Sequence, residues 1–120
     1  MNGGFRTCLI VDDDLLIADY LRDLVTGLGL DVCGVAHDGE SAIETAINLQ
    51  PDVILMDVRL GGELDGVDAA IEIFKRAKSR VIFVTAYNDP ATVDRMRRNN
   101  PTGILIKPVG AQELKRALAS

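Results

Sequence analysis

Four short apolar runs, each stopped by a residue carrying a charge or a hydroxyl, constrain this 120-residue chain more than any other feature. Val53-Ile54-Leu55-Met56 ends in Asp57, and Cys8-Leu9-Ile10-Val11 ends in Asp12-Asp13-Asp14. Val81-Ile82-Phe83-Val84 ends in Thr85, and Ile104-Leu105-Ile106 ends in Lys107-Pro108. An apolar run with no polar alternation suits a strand buried on both faces, as in the middle of a parallel sheet. The C-terminal ends of such strands are where open α/β sheets place their chemistry. The expectation is that these ends meet in one pocket around Asp57.

Between the runs lie amphipathic stretches. After a first strand over about Arg6 to Asp12, Ile17, Leu21, Leu24 and Leu28 recur at helical spacing, and Gly27 and Gly29 mark the helix end. A second strand, about Asp31 to Ala36, is weakened by Gly34. Asp38 then caps a helix that turns Ile43, Ala46 and Ile47 inward. Asp65-Gly66 opens a third helix with Val67, Ala70, Ile71 and Phe74 expected inward. Asp89 caps a fourth, with Pro90 at its first position. Only Val93 and Met96 anchor that helix, so it is expected to be the least firmly packed, and Arg95, Arg97 and Arg98 are read as its solvated face, with a partner surface as the alternative. Leu114, Ala117 and Leu118 supply the buried face of the last helix.

Five βα units predict one α/β domain over residues 1–120, an open parallel sheet with right-handed crossovers and helices on both faces. Periodicity does not give strand order. The chemistry does constrain it: for Asp12, Asp13 and Asp57 to share a metal, the first and third strands must be neighbours.

Several carboxylates at one end of a sheet repel each other, and a hard divalent cation resolves that conflict. Two or three carboxylates completed by water suit Mg²⁺ better than Ca²⁺. Lys107 adds a point cation and Thr85 a short hydroxyl. An aspartate nucleophile, a divalent ion, a lysine and a hydroxyl are the parts needed to place a phosphoryl group on a carboxylate, because that transfer depends on positioning and charge neutralisation.

In this order and spacing, LIVDD, VILMD, the DG opening the third helix, VTA and IKP resemble the receiver domain of two-component response regulators over essentially the whole chain. The resemblance implies a flavodoxin-like (βα)5 fold with strand order 2-1-3-4-5. It implies that Asp57 is the phosphoacceptor and that Asp12, Asp13 and Asp57, with the backbone carbonyl of Arg59, hold Mg²⁺. It further implies that Thr85 and Lys107 contact the phosphoryl group, that Pro108 follows a cis peptide bond, and that the chain is a signalling module and not a metabolic enzyme. The implied partners are a histidine kinase or histidine phosphotransfer protein and an effector domain or target protein. A contact between two copies through the fourth helix, fifth strand and fifth helix is a further candidate.

Three departures accompany the likeness. Ile104 stands where receivers usually carry an aromatic switch residue. Gly61-Gly62 replaces the common proline in a loop one residue longer than usual. Arg59 and Tyr87 occupy positions that influence how long an acyl phosphate survives. Two rival readings are a haloacid-dehalogenase-like phosphatase and a flavodoxin-like binding module. The first needs a second aspartate where Arg59 stands, and the second a loop free of the Asp12-Asp13-Asp14 charges that would repel a phosphate.

A net charge of −5 argues against direct binding of nucleic acid. No apolar run approaches membrane-spanning length, and Met1-Asn2-Gly3-Gly4 lacks the features of a signal peptide, so a cytoplasmic location is expected. Cys8 and Cys33 sit inside apolar runs without metal-ligand spacing and are read as reduced core thiols. His37, the one histidine, is read as an exposed loop residue.

Overall fold

The computed structural model describes residues 4–119. Met1 to Gly3, most of the segment read above as lacking a signal peptide, and Ser120 lie outside the described residues. Strands and helices alternate as β1 (Thr7–Val11), α1 (Leu15–Gly27), β2 (Asp31–Ala36), α2 (Gly39–Leu49), β3 (Val53–Met56), α3 (Gly66–Arg76), β4 (Arg80–Thr85), α4 (Pro90–Arg97), β5 (Gly103–Ile106) and α5 (Ala111–Leu118). The five strands form one parallel sheet in the order β2-β1-β3-β4-β5, the flavodoxin-like order expected.

β3 is central, and every one of its four side chains is fully buried. Successive residues of a strand point to opposite faces, so a strand covered on both sides must be apolar throughout. Ile54 and Met56 pack into a cluster with Ala42 and Ala46 of α2, Val67, Ala70 and Ile73 of α3, and Met96 of α4. Val53 and Leu55 pack on the other face with Ala18, Leu21 and Val25 of α1 and Leu114 and Leu118 of α5. β2 is the weak strand anticipated at Gly34: its register against β1 slips between Cys8 and Leu9, and only Ala36 is fully buried. Cys8 is a core thiol that burial, helped by the nearby Cys33 sulfur, pushes up to about 12; Cys33 is only half-buried.

Aspartates start the first four helices. Asp14, Asp38, Asp65 and Asp89 each accept a hydrogen bond from backbone N–H groups of the first turn, which otherwise lack partners there. Pro90 takes the first position of α4 as expected. Met96 is the only fully buried residue of that helix, with Val93 packed beside it, in line with its expected looseness.

The expectation for α3 needs correction. Val67 and Ala70 do face the core, but Ile71 is 39% and Phe74 36% exposed, while Ala69 and Ile73 are fully buried. The reason is a close approach at the helix start, where Gly66 lies against the carbonyl of Asp57 and donates its N–H to the Val58 oxygen at 2.7 Å. This contact sets the helix rotation and turns Ala69 and Ile73 to the inside. Smaller adjustments affect the other elements. β1 is one residue shorter at each end than expected, and Ile17, Leu24, Leu28 and Ile43 are only partly buried, flanking the small residues Ala18 and Ala42 that touch the sheet. Among the described residues, no helix is long and apolar enough to cross a membrane.

Candidate functional site

Four polar side chains are fully or almost fully buried among the described residues: Asp12, Asp57, Ser79 and Thr85. Ser79 precedes β4 and donates to the Pro51 carbonyl at the opposite end of the sheet. The other three stand where β1, β3 and β4 end. Because β1 pairs directly with β3, with Val11 opposite Met56, the next residues Asp12 and Asp57 emerge side by side. That adjacency at the point where strand order reverses is the expected switch-point crevice.

Lys107 closes the group from the end of β5. Its Nζ donates to Asp12 Oδ2 at 2.7 Å and to Asp57 Oδ2 at 3.1 Å, and its side chain is only 15% exposed. Its backbone N–H is fixed in turn by the Thr85 carbonyl at 2.9 Å. The following Lys107-Pro108 peptide is cis, as the resemblance implied. Asp14 N–H donates to the second oxygen of Asp12 at 2.9 Å, so both Asp12 oxygens are engaged. Oxygens of Asp12, Asp13 and Asp57 lie within 4.8 Å of one another, with Asp13 exposed at the mouth.

The electrostatics follow from this crowding. Burial, more than any other effect, pushes the Asp57 carboxyl above the ordinary carboxylate range; Asp12 adds to the push and Lys107 opposes it. Burial pulls Lys107 down, but its hydrogen bond to Asp12 and the charges of Asp57 and Asp12 outweigh burial and leave it raised. One ammonium thus serves two desolvated carboxylates, with a third at the rim. An all-oxygen cluster with this excess of negative charge fits a hard divalent cation.

Thr85 is fully buried at the end of β4, and its Oγ1 accepts the Tyr87 N–H at 3.2 Å. The Tyr87 ring carries the Arg59 guanidinium 4.3 Å from its centroid. Arg59 is therefore placed by its side chain, across the loops that follow β3 and β4. His37 is exposed as expected, and its Nδ1 lies 3.0 Å from the Asp12 carbonyl oxygen. Ile104 is half-buried and packs on the Met96 side of the sheet, so the position read as aromatic in relatives holds an aliphatic core residue here.

Residues 8–119 match the response regulator receiver domain family. The chain belongs to that family. The receiver is 33% identical over 113 residues to the transcriptional regulatory protein PdtaR of Mycobacterium tuberculosis, a match covering 94% of this chain and 55% of PdtaR. It is 32% identical over 114 residues to the chemotaxis protein CheY of Thermotoga maritima, covering 94% of both. Among solved structures, the signal receiver domain of a modulated diguanylate cyclase from Desulfovibrio desulfuricans G20 superimposes with a TM-score of 0.88 at 41% identity, covering 95% of this chain and 90% of that one. Of the longer relatives, the receiver spans about half of PdtaR (55%) and 31% of a Thermotoga maritima protein-glutamate methylesterase/protein-glutamine glutaminase. It is a two-component signalling module with an acidic metal-type pocket formed by Asp12, Asp13 and Asp57 beside Lys107.

Two structural roles in this receiver were missed in the sequence. The sequence reading has Gly66 only opening the third helix with Asp65, whereas its missing side chain lets the helix start lie against the Asp57 carbonyl. Arg95 was assigned to a solvated face but pairs with Asp65 and Asp68 of α3. No spacing in the sequence marks that pairing, because 30 residues separate Arg95 from Asp65.

Proposed function

We propose that this chain is a single phosphoacceptor receiver domain of a two-component or phosphorelay system, working in the cytoplasm and accepting a phosphoryl group on Asp57. The observation that carries the reading is the placement of Asp57: a buried carboxylate at the end of the central strand, 3.1 Å from Lys107 and clustered with Asp12 and Asp13. A carboxylate oxygen of Asp57 attacks the phosphorus of a phosphohistidine on a histidine kinase or phosphotransfer protein. The phosphorus–nitrogen bond breaks, and the histidine leaves with the electron pair. Mg²⁺, held by Asp12, Asp13, Asp57 and the Arg59 backbone carbonyl, would supply positive charge to the phosphoryl oxygens. Lys107 neutralises charge on the phosphoryl oxygens, and the Thr85 hydroxyl, whose oxygen accepts the Tyr87 N–H, donates its own proton to one of them. The resulting anionic group differs from the free carboxylate in its interactions with Lys107 and Thr85, and that difference biases the conformation read by an effector or target protein.

The test is incubation with a small-molecule phosphodonor, with and without Mg²⁺, followed by mass measurement. Native protein is expected to gain one phosphoryl group only with the cation, and Asp57→Asn protein none. Equal modification of the two proteins would overturn the assignment.

The Arg59 and Tyr87 pair gives this reading a kinetic consequence. A guanidinium over a ring at an exposed site is worth about 0.5–1 kcal/mol. Stacked across the loops around Asp57, the pair restricts the approach of water to an acyl phosphate. Arg59→Ala and Tyr87→Ala are each expected to shorten the acyl-phosphate lifetime by about two- to fivefold, following that energy. Unchanged decay of the phosphorylated protein in both variants would remove the shield.

A further inference from the structure

We infer that Arg95 is a latch through which the Asp57 loop and α4 hold each other in place; the part of this inference that concerns phosphorylation rests on the function proposed above. The guanidinium of Arg95 closes on both carboxylates of the α3 capping box. Nη1 donates to Asp65 Oδ2 at 2.7 Å, and Nη2 to Asp65 Oδ1 and Asp68 Oδ1 at 3.3 Å each. Those carboxylates are themselves fixed: Asp65 Oδ1 accepts the Asp68 N–H at 2.9 Å, and Asp68 Oδ2 accepts the Asp65 N–H at 3.2 Å. A planar fork on a prearranged pair of carboxylates is the geometry in which arginine loses least freedom on pairing.

Both ends of the latch matter. On one side, the next residue, Gly66, lies against the carbonyl of Asp57 and donates its N–H to Val58, so the capping box cannot shift without disturbing the phosphoacceptor's own peptide. On the other, α4 is held by little else. Met96 is its only fully buried side chain, and it directly follows Arg95. The Arg95 carbonyl accepts Asn99 Nδ2 at 2.9 Å, which ties the last turn of the helix to the same residue. The bridged arrangement and a released one are therefore the two states that a change at Asp57 and a change at α4 both bias, as coupling between sites requires.

Coupling of this kind is reciprocal, so it is testable in the unmodified protein. Amide hydrogen exchange would be followed in native, Arg95→Gln, Asp68→Asn and doubly substituted protein, with α5 amides as the control for global stability. Arg95→Gln is expected to speed exchange over residues 93–98 and also at Gly66 and Ala69, by about fivefold, the scale of a partly exposed ion pair. Asp68→Asn should reproduce part of this, and the double variant should add nothing to Arg95→Gln. Arg95→Lys, which keeps charge without the fork, should fall between; it replaces Arg95→Gln if that variant speeds α5 as well. Native exchange at Gly66 in Arg95→Gln, or fully additive effects in the double variant, would overturn the latch.

A second arm adds phosphodonor and Mg²⁺. Modified native protein should approach the Arg95→Gln exchange pattern in α4, whereas modified Arg95→Gln protein should show no further rise; equal rises in both would refute release of the latch. Mass measurement in the same samples separates the two ideas. Absence of a phosphoryl group on Asp57 would count against the proposed function alone, and the first arm would then decide the latch.

Discussion

Lys107→Met is expected to cost the protein roughly 3 kcal/mol at neutral pH without divalent cations, about 10 °C in melting temperature. The substitution keeps the aliphatic stem and removes the ammonium, which lies 2.7 Å from Asp12 and 3.1 Å from Asp57. Those side chains are 1% and 7% exposed, so water does not replace the lost cation. Two features separate this from a simple packing loss. Burial already raises Asp57, and without Lys107 the opposing influence is gone, so the folded state holds its proton to higher pH than the unfolded chain does. A carboxyl raised on folding destabilises the protein above its folded pKa and ceases to do so as pH falls below the unfolded value, about 3.9. The deficit should therefore shrink from pH 7 toward pH 4. A divalent cation should also restore stability, by about 2.7 kcal/mol at a hundred times its dissociation constant. Denaturant unfolding of native and Lys107→Met protein at two pH values, with and without Mg²⁺, checks all of this. A midpoint indifferent to both pH and cation would show that Lys107 does not neutralise the buried pair.

Gly66→Ala is expected to lose about 3 kcal/mol or more, even though alanine is the better helix former. A Cβ at this position would overlap the carbonyl oxygen of Asp57, and it would come within 2.8 Å of the carbonyl carbon and 3.0 Å of Met56 Cγ. The first two obstacles are backbone of the loop that leaves the central strand, so no side-chain rotation relieves them. The damage should reach the site as well, since displaced Asp57 no longer lies beside Lys107. Gly61→Ala is the control. A Cβ there meets nothing within 4 Å, and the stability should stay within about 0.5 kcal/mol of native. Similar unfolding midpoints for the two variants would mean that the contact between α3 and Asp57 does not set the packing of this helix.

These two residues also mark how far the sequence could be read. Asp57 and Asp12 were legible because a fully buried strand has to be apolar, and the residue that ends such a run stands out at the rim of the sheet. Lys107 ends an equally apolar run, but β5 is an edge strand that is only half-buried, with Ile106 41% exposed, so the expected burial on both faces does not hold there. The caps at Asp38 and Asp89, and the opening of α3 at Asp65, were legible because these carboxylates satisfy local backbone groups within three residues. α3 was misread from the same kind of pattern. Val67, Ala70, Ile71 and Phe74 fit a helical stripe, but Ala69 and Ile73 fit another only a fraction of a turn away, and periodicity does not separate the two. The contact of Gly66 with Asp57 made the selection, which no periodicity expresses. Arg95 illustrates the same limit for charge: on a short polar helix it looks like any solvated arginine until the fold brings the α3 capping box beside it.

What the sequence determined by itself was the alternation of strands and helices, the places where helices begin, and the identity of the residues at the strand tips, since each depends on interactions within a few positions of the chain. Strand adjacency was expected from the shared metal and the family likeness and not from periodicity, whereas the approach of one lysine to two carboxylates 95 and 50 residues away, the rotation of α3 and the pairing of α4 with it were decided only in three dimensions. They arise from steric fit and charge pairing between segments remote in the chain, and such contacts leave no periodic trace in the residues that make them.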